Sequence, residues 1–165
     1  DLEQMTDTNL VAPMALTREL LPALRKSKGQ IVNIGSVFGD IAHPFFAGYS
    51  ATKFGLRGFS DAMRRELSGA GIGVTYIAPR ATRTAKETAF EKLIEPMGMT
   101  LDSAEAVAFQ AWDAILKNKR ESFPSGKERF FVKVQRLFPS LVDKFVSAQA
   151  RDPRTLAALK RSAKT

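Results

Sequence analysis

Two short β-rich runs constrain this chain more than any other feature. Residues 30–35, Gln30-Ile31-Val32-Asn33-Ile34-Gly35, and residues 73–78, Gly73-Val74-Thr75-Tyr76-Ile77-Ala78, each read as a buried strand. A helical pattern stands before each of them. Over 8–26, Leu10, Met14, Leu21 and Leu24 repeat at helical spacing, widened by Val11 and Leu20. Pro13 suits a first turn, Pro22 predicts a kink near the end, and Gly29 predicts the stop. Over 49–68, Phe54, Leu56, Phe59, Met63 and Leu67 supply the apolar positions, and Gly69, Gly71 and Gly73 follow. This alternation of helix and strand predicts parallel strands joined by crossover helices, an α/β fold. Ligands of such sheets bind beyond the C-terminal ends of the strands.

After the second strand come a segment at 85–100 carrying Phe90, Leu93, Met97 and Met99, a helix at 102–117 capped by Asp102 or Ser103, and a short edge strand within 120–125. From 127 the chain is basic and amphipathic. Residues 1–116 hold 12 Lys/Arg and 13 Asp/Glu, net −1, whereas 117–165 hold 13 and 4, net +9. The charge therefore belongs to the tail and not to the part that carries chemistry. The division expected is 1–126 for the α/β part and 127–165 for a helical extension.

There is no cysteine, which removes disulfides, thiolate catalysis and zinc–sulfur sites together. With one histidine, His43, no His-rich metal site is expected and none is assigned. A serine hydrolase is disfavoured too, for want of a Gly-x-Ser-x-Gly elbow. The absence of cysteine suits a reducing compartment, so a cytoplasmic location is expected.

The chemistry gathers at the strand ends. Tyr49 and Lys53 stand at i and i+4, on one face of a helix. A nearby ammonium favours a phenolate, so the pair would act as a proton donor and acceptor near neutral pH. Ser36 ends the first strand, thirteen residues before Tyr49. Its hydroxyl could hydrogen-bond the same carbonyl or alcohol oxygen. Each piece has an ordinary reading: an exposed helix pair, a turn serine, and for Asn9 a helix cap.

Taken together they say more. Asn9-Leu10 opening a helix, then Lys28-Gly29-Gln30-Ile31-Val32-Asn33-Ile34-Gly35-Ser36, then Tyr49-Ser50-Ala51-Thr52-Lys53-Phe54-Gly55-Leu56, then Val74-Thr75-Tyr76-Ile77-Ala78-Pro79 resembles the short-chain dehydrogenase/reductase family over residues 1–84. The resemblance implies the C-terminal half of a Rossmann-type, doubly wound parallel sheet with a helical C-terminal extension. It implies Tyr49 as the catalytic acid/base and Lys53 as the group that lowers its pKa and binds the nicotinamide ribose. Ser36 would polarise the substrate oxygen, and Asn9 would hold a water in a proton relay. Pro79 and Thr84 would border the nicotinamide. The cofactor implied is NAD or NADP, with NADP the favoured of the two, and the reaction interconverts a secondary alcohol and a carbonyl.

Two departures accompany the resemblance. The loop reads Pro79-Arg80-Ala81-Thr82-Arg83-Thr84 where the family commonly has Pro-Gly. Nothing in the sequence supplies the glycine-rich phosphate loop, which the family places upstream of Asp1. The activity is thus expected of a complete protein and not of this chain alone.

On the substrate side, Val37, Phe38, His43, Phe45 and Phe46 sit where the family's substrate wall lies, with Phe90 beyond. An apolar carbonyl or alcohol substrate is expected, bound by Ser36, Phe38, Phe45, Phe46 and Phe90. In the tail, Phe130, Phe131, Val134, Leu137, Phe138, Leu141, Val142 and Phe145 fall on one helical face, with Pro139 to kink it or start a new helix. Such a face can lie on an anionic membrane through 127–149, cover the substrate pocket, or join copies into a homo-oligomer. A non-catalytic, membrane-peripheral interaction protein is the alternative function. Nucleic-acid binding is not expected, because no reading motif accompanies the charge.

Overall fold

The computed structural model describes residues 1–83 and 91–162. Among them, β1 (Gln30–Ile34), β2 (Gly73–Ile77) and β3 (Glu121–Ser122) form one parallel sheet in the order β1-β2-β3. β1 and β2 run in register from Gln30 opposite Gly73 to Ile34 opposite Ile77. Parallel neighbours need a crossover, and helix α3 (Ala47–Glu66) provides it. The α/β architecture expected from the alternation is the one formed.

The first helix differs from expectation at its start, along its course and at its stop. It starts at Leu2 rather than residue 8, with Asp1 capping the amide of Glu3. It runs as α1 (Leu2–Thr6), a π-helical turn (Asp7–Val11) and α2 (Ala12–Ser27). Pro22 lies inside α2, which continues to Ser27. The stop expected at Gly29 comes one residue earlier, on Lys28, whose backbone is left-handed at φ +50°. Gly29 is already committed to the sheet entrance, where its carbonyl accepts from the amide of Gly73.

Ile31, Leu67, Ile72 and Val74 form the core under α2 and α3. Further along the same face, Tyr76 is completely buried against Leu56 and Ala78. Asn33 donates across this layer to Ser60 of α3 at 2.8 Å, and Ser60 donates to Leu56 O, so these two buried side chains are paired.

Beyond β2, α4 (Glu91–Ile94) and α5 (Ala104–Leu116) lead to β3. Ser103 caps α5 by accepting from Ala106 N. β3 is two residues long and, among the described residues, pairs with β2 alone, in keeping with Pro124 just beyond it.

The tail forms α6 (Glu128–Leu137), α7 (Pro139–Arg151) and α8 (Pro153–Ser162). The single apolar face expected over 130–145 is split. Phe138 leaves helical geometry at φ −137°, ψ 63°, and Pro139 starts α7. The break shifts the helical phase. Val132, Val142 and Val146 go inward against Ile41, whereas Phe130, Leu137, Phe138, Leu141 and Phe145 are each more than half exposed. No helix among the described residues is long and apolar enough to cross a membrane.

Candidate active site

The strand ends create the site. β1 and β2 continue pairing past their last residues: Gly35 N donates to Ile77 O at 2.7 Å and Val37 N to Pro79 O at 3.0 Å. Ser36 is therefore held at the rim of the sheet in extended geometry, and its Oγ accepts from Phe38 N at 3.1 Å. Tyr49 and Lys53 lie in the first turns of α3, and their side chains share one side of it.

Ser36, Tyr49 and Lys53 line one cavity of about 670 Å³. Its wall also includes Phe38, His43, Phe46 and Pro79, so these expected residues are brought together. Phe45 is not among them. Its backbone is left-handed at φ +70°, strained for an aromatic residue, and its side chain is half exposed. Leu93 does not line the cavity; it packs with Met97 and Ala158, and Met97 and Met99 reach the cavity. Thr84 and Phe90 lie outside the described residues.

Burial, rather than Lys53, sets the direction at Tyr49. Burial pushes the Tyr49 phenol above its ordinary value, and hydrogen bonding with Ser36 pulls it partly back. The Lys53 ammonium is turned to Ile34 O at 3.1 Å and sits 5.5 Å from the centre of the Tyr49 ring. Its own pKa is lowered by burial. The ammonium thus supports the aromatic face without reaching the phenol oxygen as a partner.

Asn9 lies in the π-helical turn, a geometry often found at functional sites. Its Nδ2 donates to Thr52 Oγ1 at 3.3 Å. Asn9 and Lys53 line a second cavity of about 650 Å³ on the α2 side of β1. Lys53 borders both cavities and Tyr49 only the first.

Three further features shape the site. Tyr76 sends its hydroxyl under the site, 3.3 Å from both the amide and the carbonyl of Ser36 and 3.5 Å from Lys53 O. Arg80, where the family commonly has glycine, grips Asp102 with two nitrogens at 2.9 and 2.6 Å and Glu128 at 2.7 Å. The tail helices form part of the cavity wall through Phe131, Val142, Phe145, Val146 and Gln149. The last is one of the roles expected of the apolar tail face, covering the pocket beside Ser36 and Tyr49.

A family profile described as "short chain dehydrogenase" matches residues 1–93. The chain is 43% identical over 84 residues to a 3-amino-tetrahydro-pyrrolizinone reductase of Xenorhabdus hominickii, covering 51% of this chain and 29% of that protein. It is 30% identical over 135 residues to the mitochondrial D-beta-hydroxybutyrate dehydrogenase of Rattus norvegicus, covering 82% and 36%. A solved 4-hydroxyisoleucine dehydrogenase complexed with NADH superposes with a TM-score of 0.62 at 30% identity, over 74% of this chain and 57% of that one. The chain spans about a third of the length of these two curated relatives.

Proposed function

The chain belongs to the short-chain dehydrogenase family, and from that premise we propose that the whole protein is an NAD(P)-dependent oxidoreductase interconverting a secondary alcohol and a carbonyl on an apolar substrate. One observation carries the reading: Ser36, Tyr49 and Lys53 meet on the wall of a single large, mostly apolar cavity at the C-terminal strand ends.

The residues around the strand ends suit the nicotinamide-ribose half of such a cofactor. Lys53 offers ammonium hydrogens beside Ile34, and Gly35, Pro79 and Thr82 border the same opening. The bound nicotinamide would supply hydride exchange with the carbinol carbon. In oxidation the Tyr49 phenolate takes the alcohol proton and becomes the phenol; in reduction the phenol gives its proton to the carbonyl oxygen. Ser36 Oγ donates to that oxygen and fixes its direction. Lys53 would hold the ribose, and its ammonium lies 5.5 Å from the centre of the Tyr49 ring. Asn9, across the second cavity from Lys53, serves the route by which the proton reaches solvent. Phe38 and Phe46 hold the apolar body of the substrate, and their rings, 5.4 Å apart, exclude water from it.

The protein is also proposed to associate with itself through α5, where Phe109, Trp112 and Leu116 stand exposed at i, i+3 and i+7.

Replacing Tyr49 by Phe in the whole protein tests the catalytic reading. Turnover is expected to fall by about 10²–10⁴-fold while the cofactor still binds. Unchanged turnover would remove the assignment.

A further inference from the structure

Among the described residues, Tyr76 is the largest side chain that is fully buried, and it lines neither cavity. It stands on β2, opposite Asn33 in the register. A phenol buried in a strand carries a hydroxyl whose desolvation is costly unless it finds partners. Here the partners belong to the reaction centre. The hydroxyl accepts from Ser36 N at 3.3 Å, and its hydrogen faces Ser36 O at 3.3 Å and Lys53 O at 3.5 Å. Burial pushes the phenol up to about 12, so at neutral pH it keeps its proton and serves as both donor and acceptor.

The ring beneath that hydroxyl is held in turn. The guanidinium carbon of Arg57, one helical turn beyond Lys53 on α3, lies 4.7 Å from its centre. Arg57 is buried and faces three carboxylates: Asp40 at 3.6 Å, Asp61 at 3.8 Å, and Glu121 of β3. Asp40 closes the short turn that begins at Ser36, so both ends of that turn are tied to the Tyr76–Arg57 pair. Loop and helix meet across the same point: a Cβ added at Gly39 would stand 2.7 Å from Lys53 O.

We propose that Tyr76 is a positioning residue of the reaction: its hydroxyl is a strut between the strand end that presents Ser36 and the helix that presents Tyr49 and Lys53, with Arg57 seating the ring. This rests on the oxidoreductase reading. Tyr76 touches neither substrate nor cofactor and acts through Ser36. Ser36 comes from the end of β1 and Tyr49 from the start of α3, and both must reach one substrate oxygen. A shift of about 1 Å in such a group can cost about 10²-fold in rate. A phenylalanine at this place would fill the same space and leave the Ser36 amide without its acceptor.

The test uses Tyr76→Phe in the whole protein, checked for folding by circular dichroism. Turnover is followed with NADH or NADPH on a panel of aliphatic, cyclic and aromatic ketones, and cofactor affinity by nicotinamide fluorescence. Amide exchange at Ser36 is read by mass spectrometry. The kcat is expected to fall about 10–10²-fold with cofactor affinity unchanged. In a Ser36→Ala background the same substitution is expected to remove less than about threefold more, because the strut acts through Ser36. Exchange at the Ser36 amide is expected to quicken at least about tenfold, while Val74 within β2 keeps its rate. Tyr76→Met, whose flexible chain fills similar space, takes the place of Tyr76→Phe if that variant does not fold. An unchanged exchange rate at Ser36 overturns the strut. Faster exchange with unchanged kcat overturns the positioning role, the contact then being structural only. A full further loss in the Ser36→Ala background overturns action through Ser36. No turnover of any ketone by the unsubstituted protein removes the oxidoreductase reading and the positioning role with it; exchange at Ser36 then shows separately whether the strut exists.

Discussion

The hydroxyl of Tyr76 lies 3.3 Å from the backbone amide of Ser36, while its ring fills the space where Gly35 would otherwise carry a side chain. A Cβ added at Gly35 would stand 2.0 Å from the Tyr76 ring, and one added at Gly39 would stand 2.4 Å from its hydroxyl. A buried tyrosine thus props the loop that presents Ser36, and the two glycines make room for it. Gly35→Ala is therefore expected to cost about 3 kcal/mol, from overpacking against a ring with nowhere to go. Gly58, exposed on α3 with nothing within 4 Å of an added Cβ, is the control: Gly58→Ala is expected to add about 0.5–1 kcal/mol. Urea unfolding of the two variants should give opposite signs, and equal signs would refute the packing account.

The chain has two tyrosines, and both phenols are raised. Tyr76 is pushed up to about 12, chiefly by burial, and Tyr49 is raised by the same cause. In the unfolded chain each ionises near 10. Above that pH the unfolded state loses protons that the folded state keeps, so this contribution to stability declines as pH rises past 10. An ultraviolet titration should show little phenolate at pH 10 in the folded chain and about half in denaturant. Matching titrations would contradict the burial of Tyr76.

Arg80 joins the loop after β2 to Asp102 and Glu128, with all three side chains largely buried. Arg80→Met keeps the length and removes the charge. It should cost about 2 kcal/mol, because two shielded carboxylates lose their partner. Denaturant unfolding measures this. A neutral effect would show that the guanidinium is only surface charge.

The α5 stripe makes a prediction about association. Replacing Trp112 by Glu should shift an oligomer toward smaller species in sedimentation without changing secondary structure. An unchanged sedimentation profile would place self-association elsewhere.

Ser36, Tyr49 and Lys53 could be read from the sequence because each is positioned by local rules. Two residues follow a four-residue helical spacing, and the third ends a strand of obvious composition. Asn9 was legible as a site residue, but its π-helical setting was not, since no residue type announces that turn. Arg80 was read as a departure without its partners, which lie 22 and 48 residues away. Tyr76 was legible as a strand residue only; its hydroxyl gains meaning from Ser36 and Lys53 after packing. The continuous face at 130–145 misled because periodicity runs through Phe138, whereas the backbone does not. The charge state of Tyr49 depends on how deeply the phenol is buried and where the ammonium turns, and neither is written in a four-residue spacing.

The ion pairs that cross residue 126 have a mechanical meaning. Arg136 reaches back to the buried Asp40 at 2.8 Å, and Glu128 to Arg80. Pulling α6 away would strand carboxylates and guanidinium groups on both sides of the parting. The basic helices and the sheet are thus expected to let go together, in one cooperative step, rather than peel apart in sequence order.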